Sequence, residues 1–377
     1  MSYIIKQVLP ISIFCIVGLV VYWIFLLPKR PSKFWKYQPV SRETDVPVKS
    51  GVLITDQSPP IIQAPPEYRV SYPDLGDTKN LSIISDFLNM NYVVGYKYSP
   101  DFLRWSINIP SNIDIKKWHL ALWKKKDLVG TIISKPITIH IETLGTSPSV
   151  YVDYLSIQKK QRSHNLAPVL ISHIVKNCWD SDHTLFLFKK EGEPLPFRVI
   201  CDTHFYLLDL MSQIAHPILP TRYTILPVTV ANSVGAYHFF TNSLQKYSIY
   251  PEYSLVQFQY IYTTSDLVKS WVLLEDNHII GFTSFVINHF QIYTVKYQIA
   301  EVMYYMSPVA SFFSLFHQII KEATLLHLDK ITIIDIMNNY RLLEKYSFQQ
   351  SMKLNFQMYN YRHPTSIDKK NFAYNVV

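Results

Sequence analysis

Twenty consecutive residues near the start of the chain, Val8 to Leu27, carry no charge, and they constrain the fold more than any other feature. At 1.5 Å of rise per residue, an α-helix of that length reaches about 30 Å, the thickness of a bilayer's hydrocarbon core. A cleaved signal peptide would end at a site of small residues, whereas this run leads directly into Pro28 and Lys29. The sequence therefore predicts a single transmembrane helix within residues 1–30, with a folded domain behind it.

The cations beside this stretch predict its orientation. Only Lys6 precedes it, whereas four cations follow it closely: Lys29, Arg30, Lys33 and Lys36. Positive charge is retained on the cytosolic side of a membrane. We therefore expect a single-pass membrane protein with a cytosolic folded domain and the lipid bilayer as a partner.

The composition excludes several classes of protein. With 48% hydrophobic and 15% aromatic residues, the chain is a packed globule and not a disordered one. The net charge of +8 would suit anionic lipid or a polyanionic ligand, but no basic stripe with interleaved aromatics indicates nucleic acid. Three cysteines without a C-x-x-C pair, and histidines without an H-x-x-x-H pair, predict no metal site.

The spacing of apolar residues predicts strands mixed with helices in both halves of the chain, after a proline-rich extended stretch. We expect helices at Leu81–Leu88, Leu166–Cys178 and Ser311–Leu328. We expect strands at Trp118–Trp123, Val129–Ser134, Ile137–Ile141, Val150–Ile157, Ile331–Ile336 and Leu354–Tyr361, and a hairpin of Trp271–Leu274 with Ile279–Ile287. This mixture predicts a layered α/β or α+β fold.

The segment from Tyr151 to Ile171 carries the clearest chemical signal. A strand ends, Lys159, Lys160 and Arg162 follow, and a helix begins. The N–H groups and dipole at a helix N-terminus bind anions, and neighbouring cations strengthen such a site. The segment therefore indicates an anion-binding turn, and Gln161 to Ala167 also resembles the pyrophosphate loop of acetyltransferase-type folds. An ordinary solvated turn before a core helix would show the same pattern.

Several motifs occur in a fixed order, and together they resemble eukaryotic N-myristoyltransferases over about Phe34 to Val377. They are Phe34–Val40, Tyr98–Trp105, Trp118-His119 with Leu128–Gly130, Arg162–Ile171, Ile336–Asn339 with Leu342–Lys345, and Tyr359–Pro364. The resemblance implies two fused acetyltransferase-like (GNAT) halves. After the anchor, residues 31–80 would be an extended segment with a CoA-contacting start. Residues 81–205 would bind acyl-CoA, and residues 206–377 would shape the peptide groove.

The resemblance also implies the residues of an active site. The carboxylate of Val377 would take the proton of a glycine amine, and the backbone N–H groups of Tyr154 and Leu155 would bind the thioester oxygen. Residues that would contact acyl-CoA are Lys33, Phe34, Trp35, Ser156, Ile157, Arg162, Ser163, His164, Asn165, Leu166 and Ala167. Myristoyl-CoA would be a co-substrate and not a permanent cofactor, and proteins with an N-terminal glycine would be the acceptors.

The peptide side departs from the family pattern, which keeps a second function open. The family's acidic run is missing after Asn91-Tyr92-Val93, its Thr-Ala-Gly has no counterpart near Phe188, and its His-Arg pair falls on Phe205 and Tyr206. Because the motifs on the CoA side are present in order, we expect an N-myristoyltransferase-like enzyme. The alternative is an inactive structural or acyl-binding membrane protein of the same fold, for which a virus would be one setting.

Overall fold

A computed structural model describes residues 33–45, 49–54, 56–92, 95–212, 222–292, 294–308, 311 and 313–375. The predicted membrane helix, Val8 to Leu27, lies outside these ranges. Within them, no helix combines the length and the apolar character that a bilayer crossing requires. The chain divides into two compact units, Met1–Gln38 and Pro39–Val377.

The described elements alternate between strands and helices, as the apolar pattern predicts. The helices are α1 Lys33–Lys36, α2 Thr78–Asn91, α3 Pro100–Ile107, α4 Leu166–Trp179, α5 Ser233–Leu244, α6 Leu255–Thr263, α7 Ser314–Leu325 and α8 Tyr340–Lys345. Short 3₁₀ turns occur at Lys116–Trp118, Lys159–His164, Leu210–Ser212 and Lys369–Asn371. The strands are β1 Gly51–Val52, β2 Tyr68–Ser71, β3 Tyr96–Lys97, β4 His119–Lys124, β5 Asp127–Ile141, β6 Gly145–Ile157, β7 Leu185–Glu191, β8 Cys201–Asp209, β9 Tyr223–Pro227, β10 Ile249–Pro251, β11 Val268–Glu275, β12 His278–Ile292, β13 Val295–Met306, β14 Lys330–Ile334, β15 Gln349–Tyr359 and β16 Tyr361–Arg362.

In the described part of the chain, fourteen of the strands form one sheet. Twelve of them follow the order β2-β4-β5-β6-β7-β15-β8-β14-β13-β12-β11-β9. Strand β10 pairs with β5, and β3 pairs with β12. Strands β15 and β8 lie side by side in the middle of this sheet, between β7 and β14, so that one sheet runs through both halves. The boundary expected between Phe205 and Tyr206 lies within β8 and stays a prediction.

The same structural unit occurs twice in this sheet. In the first copy, β4, β5 and β6 are antiparallel, and α4 leads to β7, which is parallel to β6. In the second copy, β11, β12 and β13 are antiparallel, and α7 leads to β14, which is parallel to β13. The predicted mixed α/β fold is therefore confirmed, and it is built from two halves of equal topology.

Local sequence explains where helix α3 begins and how α4 packs on the sheet. Ser99 caps α3 by accepting a hydrogen bond from the N–H of Phe102 at 3.1 Å, and Pro100 follows at the first helical position, where its fixed φ is favourable. Gly130 lies beneath α4, because a Cβ atom there would come within 2.7 Å of Ile157 Cδ1 on β6 and 3.2 Å of Leu170 Cδ1 on α4. A larger residue would require these two side chains to move.

Two elements differ from the sequence-based expectation. The strands expected on either side of Lys135 are one continuous strand, β5, despite Pro136. Pro136 lies between the pairings of β5 with β4, which end at Ile133, and with β10, which begin at Ile139, so its missing N–H costs no ladder bond on that side. Helix α7 is shorter than expected, because His327 has a φ of 55° and ends the helical run before Leu328.

Candidate active site

A β-bulge between β5 and β6 is the centre of the candidate site. The pairing shifts register between Thr131 and Ile133 of β5, opposite Asp153 to Ser156 of β6. Tyr154 takes a left-handed conformation there, with φ of 51°, which costs a non-glycine residue about 1–2 kcal/mol. A bulge of this kind separates the strands locally and turns backbone groups away from the ladder.

Two hydrogen bonds hold the bulge in this conformation. The Thr131 hydroxyl, fully buried, donates to the Tyr154 carbonyl oxygen at 2.9 Å. The Tyr154 hydroxyl and the Ser106 Oγ of α3 lie 3.1 Å apart in a hydrogen bond. The strained backbone is therefore fixed both from the neighbouring strand and from the helix above it.

The predicted oxyanion donors lie at this bulge, but one of them already has an acceptor. The Tyr154 N–H donates to the Asp153 carboxylate at 2.8 Å. The Leu155 side chain is 38% exposed, whereas Ser156 and Ile157 are buried. A thioester oxygen and the Asp153 carboxylate would compete for the same Tyr154 N–H.

The predicted phosphate turn directly follows β6. Residues Lys159–His164 form a 3₁₀ turn, and Asn165, with φ of 54°, leads into α4 at Leu166 without a side-chain cap. Sequence reasoning therefore placed the helix start correctly. The exposed residues of the turn are Lys159, Lys160, Arg162, Ser163, His164 and Asn165. The Leu166 side chain is buried and Ala167 is half-buried, so only their backbone groups suit a contact with an anion.

Arg162 fastens this turn to its surroundings. Its Nε donates to the Ile157 carbonyl at 3.0 Å, and its Nη2 donates to the Asn91 carbonyl at 3.0 Å. Beside it, the Tyr68 hydroxyl donates to Gln161 Oε1 at 2.8 Å. These bonds fix the turn while its cations face solvent, which suits a phosphate-bearing ligand.

Four predicted site residues lie outside the described part of the main unit or have no described side chain there. The carboxylate of Val377 and the side chain of Lys33 lie outside the described residues. Phe34 and Trp35 belong to the unit Met1–Gln38, where their rings meet edge to face with centroids 4.9 Å apart.

Buried charges beside the bulge were missed by sequence reasoning. Lys135, 6% exposed, donates from Nζ to the Ser106 carbonyl at 2.8 Å, and its Nζ lies 5.5 Å from the centre of the Tyr151 ring. Burial raises the pKa of Asp153, and Lys189 partly opposes that shift. Lys135 lies on the same side of β5 as Ile133 and Ile137, in a stretch of the strand that is buried on both faces, and a lysine between two apolar strand segments was the available signal.

Two more carboxylates, Glu191 of β7 and Glu301 of β13, extend this polar interior. Burial raises the pKa of Glu191 and of Glu301. The Tyr92 hydroxyl donates to Glu191 Oε1 at 3.3 Å, and Asn288 Nδ2 donates to Glu301 Oε2 at 3.2 Å. Both carboxylates lie close enough to Asp153 for their charges to interact with it. In the described residues, no group of three or more His, Cys, Asp or Glu side chains could hold a metal ion.

The second half contains the counterpart of the bulge. The pairing of β12 with β13 shifts between Ser284 and Phe285, and the Thr283 hydroxyl donates to the Tyr304 carbonyl at 2.9 Å. Here the C-terminal tail fills the space. Asn375 Nδ2 donates to the carbonyls of Val302 and Met303 at 3.1 and 2.8 Å. Phe372, Ala373 and Tyr374 are fully buried beside it.

Comparisons with known proteins agree with this architecture. Residues 51–197 match the family model of the N-terminal domain of myristoyl-CoA:protein N-myristoyltransferase. The glycylpeptide N-tetradecanoyltransferase of Kluyveromyces lactis is 27% identical over 290 residues, which cover 67% of this chain and 64% of that protein. The protein of the same name from Dictyostelium discoideum is 30% identical over 178 residues, 42% of each chain.

A solved structure extends the similarity to nearly the whole fold. The crystal structure of Saccharomyces cerevisiae N-myristoyltransferase with bound myristoyl-CoA has a TM-score of 0.81 and 19% identity to this chain, and covers 93% of it and 100% of the yeast chain. The duplicated α/β sheet is therefore the fold of an N-myristoyltransferase. In sequence, residues 51–197 are similar to the N-terminal domain of the N-myristoyltransferase family. The chain spans 64% and 42% of the length of the two curated relatives.

Proposed function

We propose that this protein is an acyltransferase that moves a myristoyl group from myristoyl-CoA to the N-terminal glycine amine of a protein. One observation carries the proposal: strand β6 leads from the bulge at Tyr154 straight into the cationic turn that ends at Asn165. A CoA thioester needs a carbonyl site and a phosphate site joined by one narrow path, and this strand supplies both. The similarity of residues 51–197 to the N-terminal domain of myristoyl-CoA:protein N-myristoyltransferase supports the same reaction.

The proposed division of labour follows the strand. The phosphates would be bound by the first N–H groups of α4 and by Lys159, Lys160, Arg162, Ser163 and His164. The CoA would also be contacted by Lys33, Phe34 and Trp35. Ser156 and Ile157 would line the acyl path, and the N–H groups of Tyr154 and Leu155 would bind the thioester oxygen. The carboxylate of Val377 would take the first proton of the glycine ammonium. No permanent cofactor takes part.

A transfer assay tests the proposal. The full chain is mixed with labelled myristoyl-CoA and a panel of peptides that begin with glycine, and matched peptides that begin with alanine are the control. Acylation of glycine peptides alone is the expected result. Binding of myristoyl-CoA without transfer to any peptide would instead indicate the inactive acyl-binding alternative.

The role of the terminal carboxylate has its own test. Deletion of Val376 and Val377 should abolish transfer and leave the dissociation constant of myristoyl-CoA within about twofold. Full transfer by the shortened chain would contradict a carboxylate base. A Trp35→Ala variant should do the reverse, weakening acyl-CoA binding through lost contact with CoA.

We further propose that Val8 to Leu27 anchors the enzyme in a bilayer, which rests on the uncharged run and on the cations that follow it. The full chain should stay with the membrane during carbonate extraction, and a chain lacking residues 1–30 should not. Release of the full chain by carbonate would refute the anchor.

A further inference from the structure

Lys135 is a buried lysine at the centre of the candidate site. It lies directly opposite Tyr151 across the β5–β6 pair, two residues from Ile133, which pairs with Asp153 next to the bulge. Its Nζ donates to the Ser106 carbonyl at 2.8 Å. Because the Ser106 Oγ is also bonded to the Tyr154 hydroxyl, one residue connects the amine with the strained residue of the bulge.

Two small cavities are lined in part by this lysine. One, of about 10 Å³, is lined by Lys135, Asp153, Tyr154 and Ser106 among others. The other, of about 20 Å³, is lined by Lys135, Ser106, Tyr253 and Asn375 among others. Each has room for about one water-sized group, which is also the size of an amino group. Thus an amine in the smaller cavity would lie between Lys135 and the backbone expected to bind the thioester oxygen.

The charged and titratable groups around Lys135 set its protonation. Burial lowers the pKa of Lys135 to about 8, Asp153 of β6 opposes this shift, and Lys189 of β7 adds to it. Tyr151 and Tyr154 of β6 and Tyr253 line the same cavities and are neutral near pH 8, because burial raises the pKa of each tyrosine. A free α-amino group titrates at about 7.7–8.0, so the two amines can exchange a proton at little cost.

We propose that Lys135 is a catalytic proton acceptor for acyl transfer to an amine, and this rests on the proposed function. Two protons must leave the nitrogen of the acceptor ammonium before an amide is formed. The first leaves before the attack. The amine nitrogen then bonds to the thioester carbon, and neutral Lys135 takes the second proton from the resulting tetrahedral intermediate. The C–S bond breaks, and the Lys135 ammonium returns its proton to the departing CoA thiolate, which restores the neutral lysine.

A purely structural role explains Lys135 poorly. Burying an ammonium costs free energy even when it is hydrogen-bonded, and an apolar side chain of similar volume is often as stable or more stable at such a site. Lys135→Met should therefore preserve the fold. This separates the catalytic explanation from a structural one.

The test compares the full chain with K135M and K135R in single turnovers from pH 6 to 9.5. The wild-type rate should rise as pH passes through about 8, where the neutral lysine becomes abundant. K135M should lose about 100-fold in rate at pH 8.5, with the dissociation constant of myristoyl-CoA within twofold. K135R should lose a similar factor, because a guanidinium cannot give up its proton. The matched control is K246M, since exposed Lys246 lies 5.2 Å above the Tyr247 ring, and its rate should be unchanged.

Chemical rescue distinguishes the loss of the lysine amine from a structural defect as the cause of a slow variant. Methylamine and ethylamine should restore peptide acylation by K135A in proportion to their concentration, and an absence of rescue would overturn the proposal. A K135M or K135R rate within threefold of wild type would overturn it as well. A wild-type chain that acylates no glycine peptide would instead reject the proposed function, and this result would be known before any variant is compared.

Discussion

The bond between the Tyr154 N–H and the Asp153 carboxylate predicts that Asp153 slows the reaction. A hydrogen bond to a charged acceptor contributes about 1.5–3 kcal/mol, and this one must break before the same N–H can bind a thioester oxygen. Since 1.36 kcal/mol corresponds to tenfold in rate, D153A should raise the single-turnover rate by about 10- to 100-fold. D153N keeps a neutral acceptor, which binds about half as strongly, and should give a gain of about tenfold or less.

The measurement is made by rapid quench with saturating myristoyl-CoA and glycine peptide at pH 9. At that pH Lys135, with its pKa lowered to about 8, is mainly neutral in wild type and variants, so the ratio of rates reports the competition for the N–H. Burial raises the pKa of Asp153, and a protonated carboxyl is the weaker acceptor. The advantage of the variants should therefore shrink as the pH falls through the pKa of Asp153.

The control is D127N, which removes an exposed carboxylate from the same strand that carries Thr131 and should leave the rate unchanged. A tenfold or larger loss of rate in D153A, with thermal stability and acyl-CoA affinity preserved, would refute the reasoning. Asp153 would then take part in the reaction and not compete with the substrate.

Three further predictions concern stability, each measured by urea unfolding. Burial lowers the pKa of His119 to about 4, so its charging opposes folding and stability should fall by about 3 kcal/mol between pH 6.5 and 4; H119F should remove this loss, and an equal loss in both proteins would contradict it. Ser254→Ala breaks the capping box of α6 with Gln257 and should cost about 1 kcal/mol, so an unchanged midpoint would be a failure. Lys369→Met leaves the buried Asp335 carboxylate without its lysine partner and should cost about 2 kcal/mol. The pairing raises the pKa of Lys369, so this contribution to stability should be complete below pH 10.5 and should be lost as the pH rises through the raised pKa. A cost that does not depend on pH would contradict this.

Local signals in the sequence predicted the parts of the site that depend on neighbours along the chain. The cluster from Lys159 to Arg162 and the apolar spacing that starts at Leu166 predicted a turn followed by a helix, and both are present, whereas anion binding by the turn stays a prediction. Both features are contained within one strand, one turn and one helix. Residues close in sequence sufficed because helix N-termini and strand ends follow from local patterns.

The buried charges could not be predicted in the same way. Whether a lysine in a strand lies in water or in the core depends on what covers that face, and here α3 covers it through Ser106, 29 residues before Lys135. The pKa of Lys135 depends further on Lys189 of another strand. Periodicity predicted strands on either side of Lys135, but the partners that make a charge tolerable there come from distant segments.

The duplicated fold explains why the two bulges have different occupants. The hydroxyls of Thr131 and Thr283 donate to equivalent carbonyl oxygens at 2.9 Å, so both halves contain the same hydrogen-bonded bulge. In the second half, the Tyr304 hydroxyl donates to the Ala373 carbonyl at 3.0 Å, and Asn375 satisfies two carbonyls of the bulge. The chain's own tail thus takes the place that the proposed function gives to the acyl donor in the first half. An open second bulge would leave buried carbonyls unpaired, at about 1–3 kcal/mol each, and the tail removes this cost while it places Asn375 beside the cavity that Lys135 also lines.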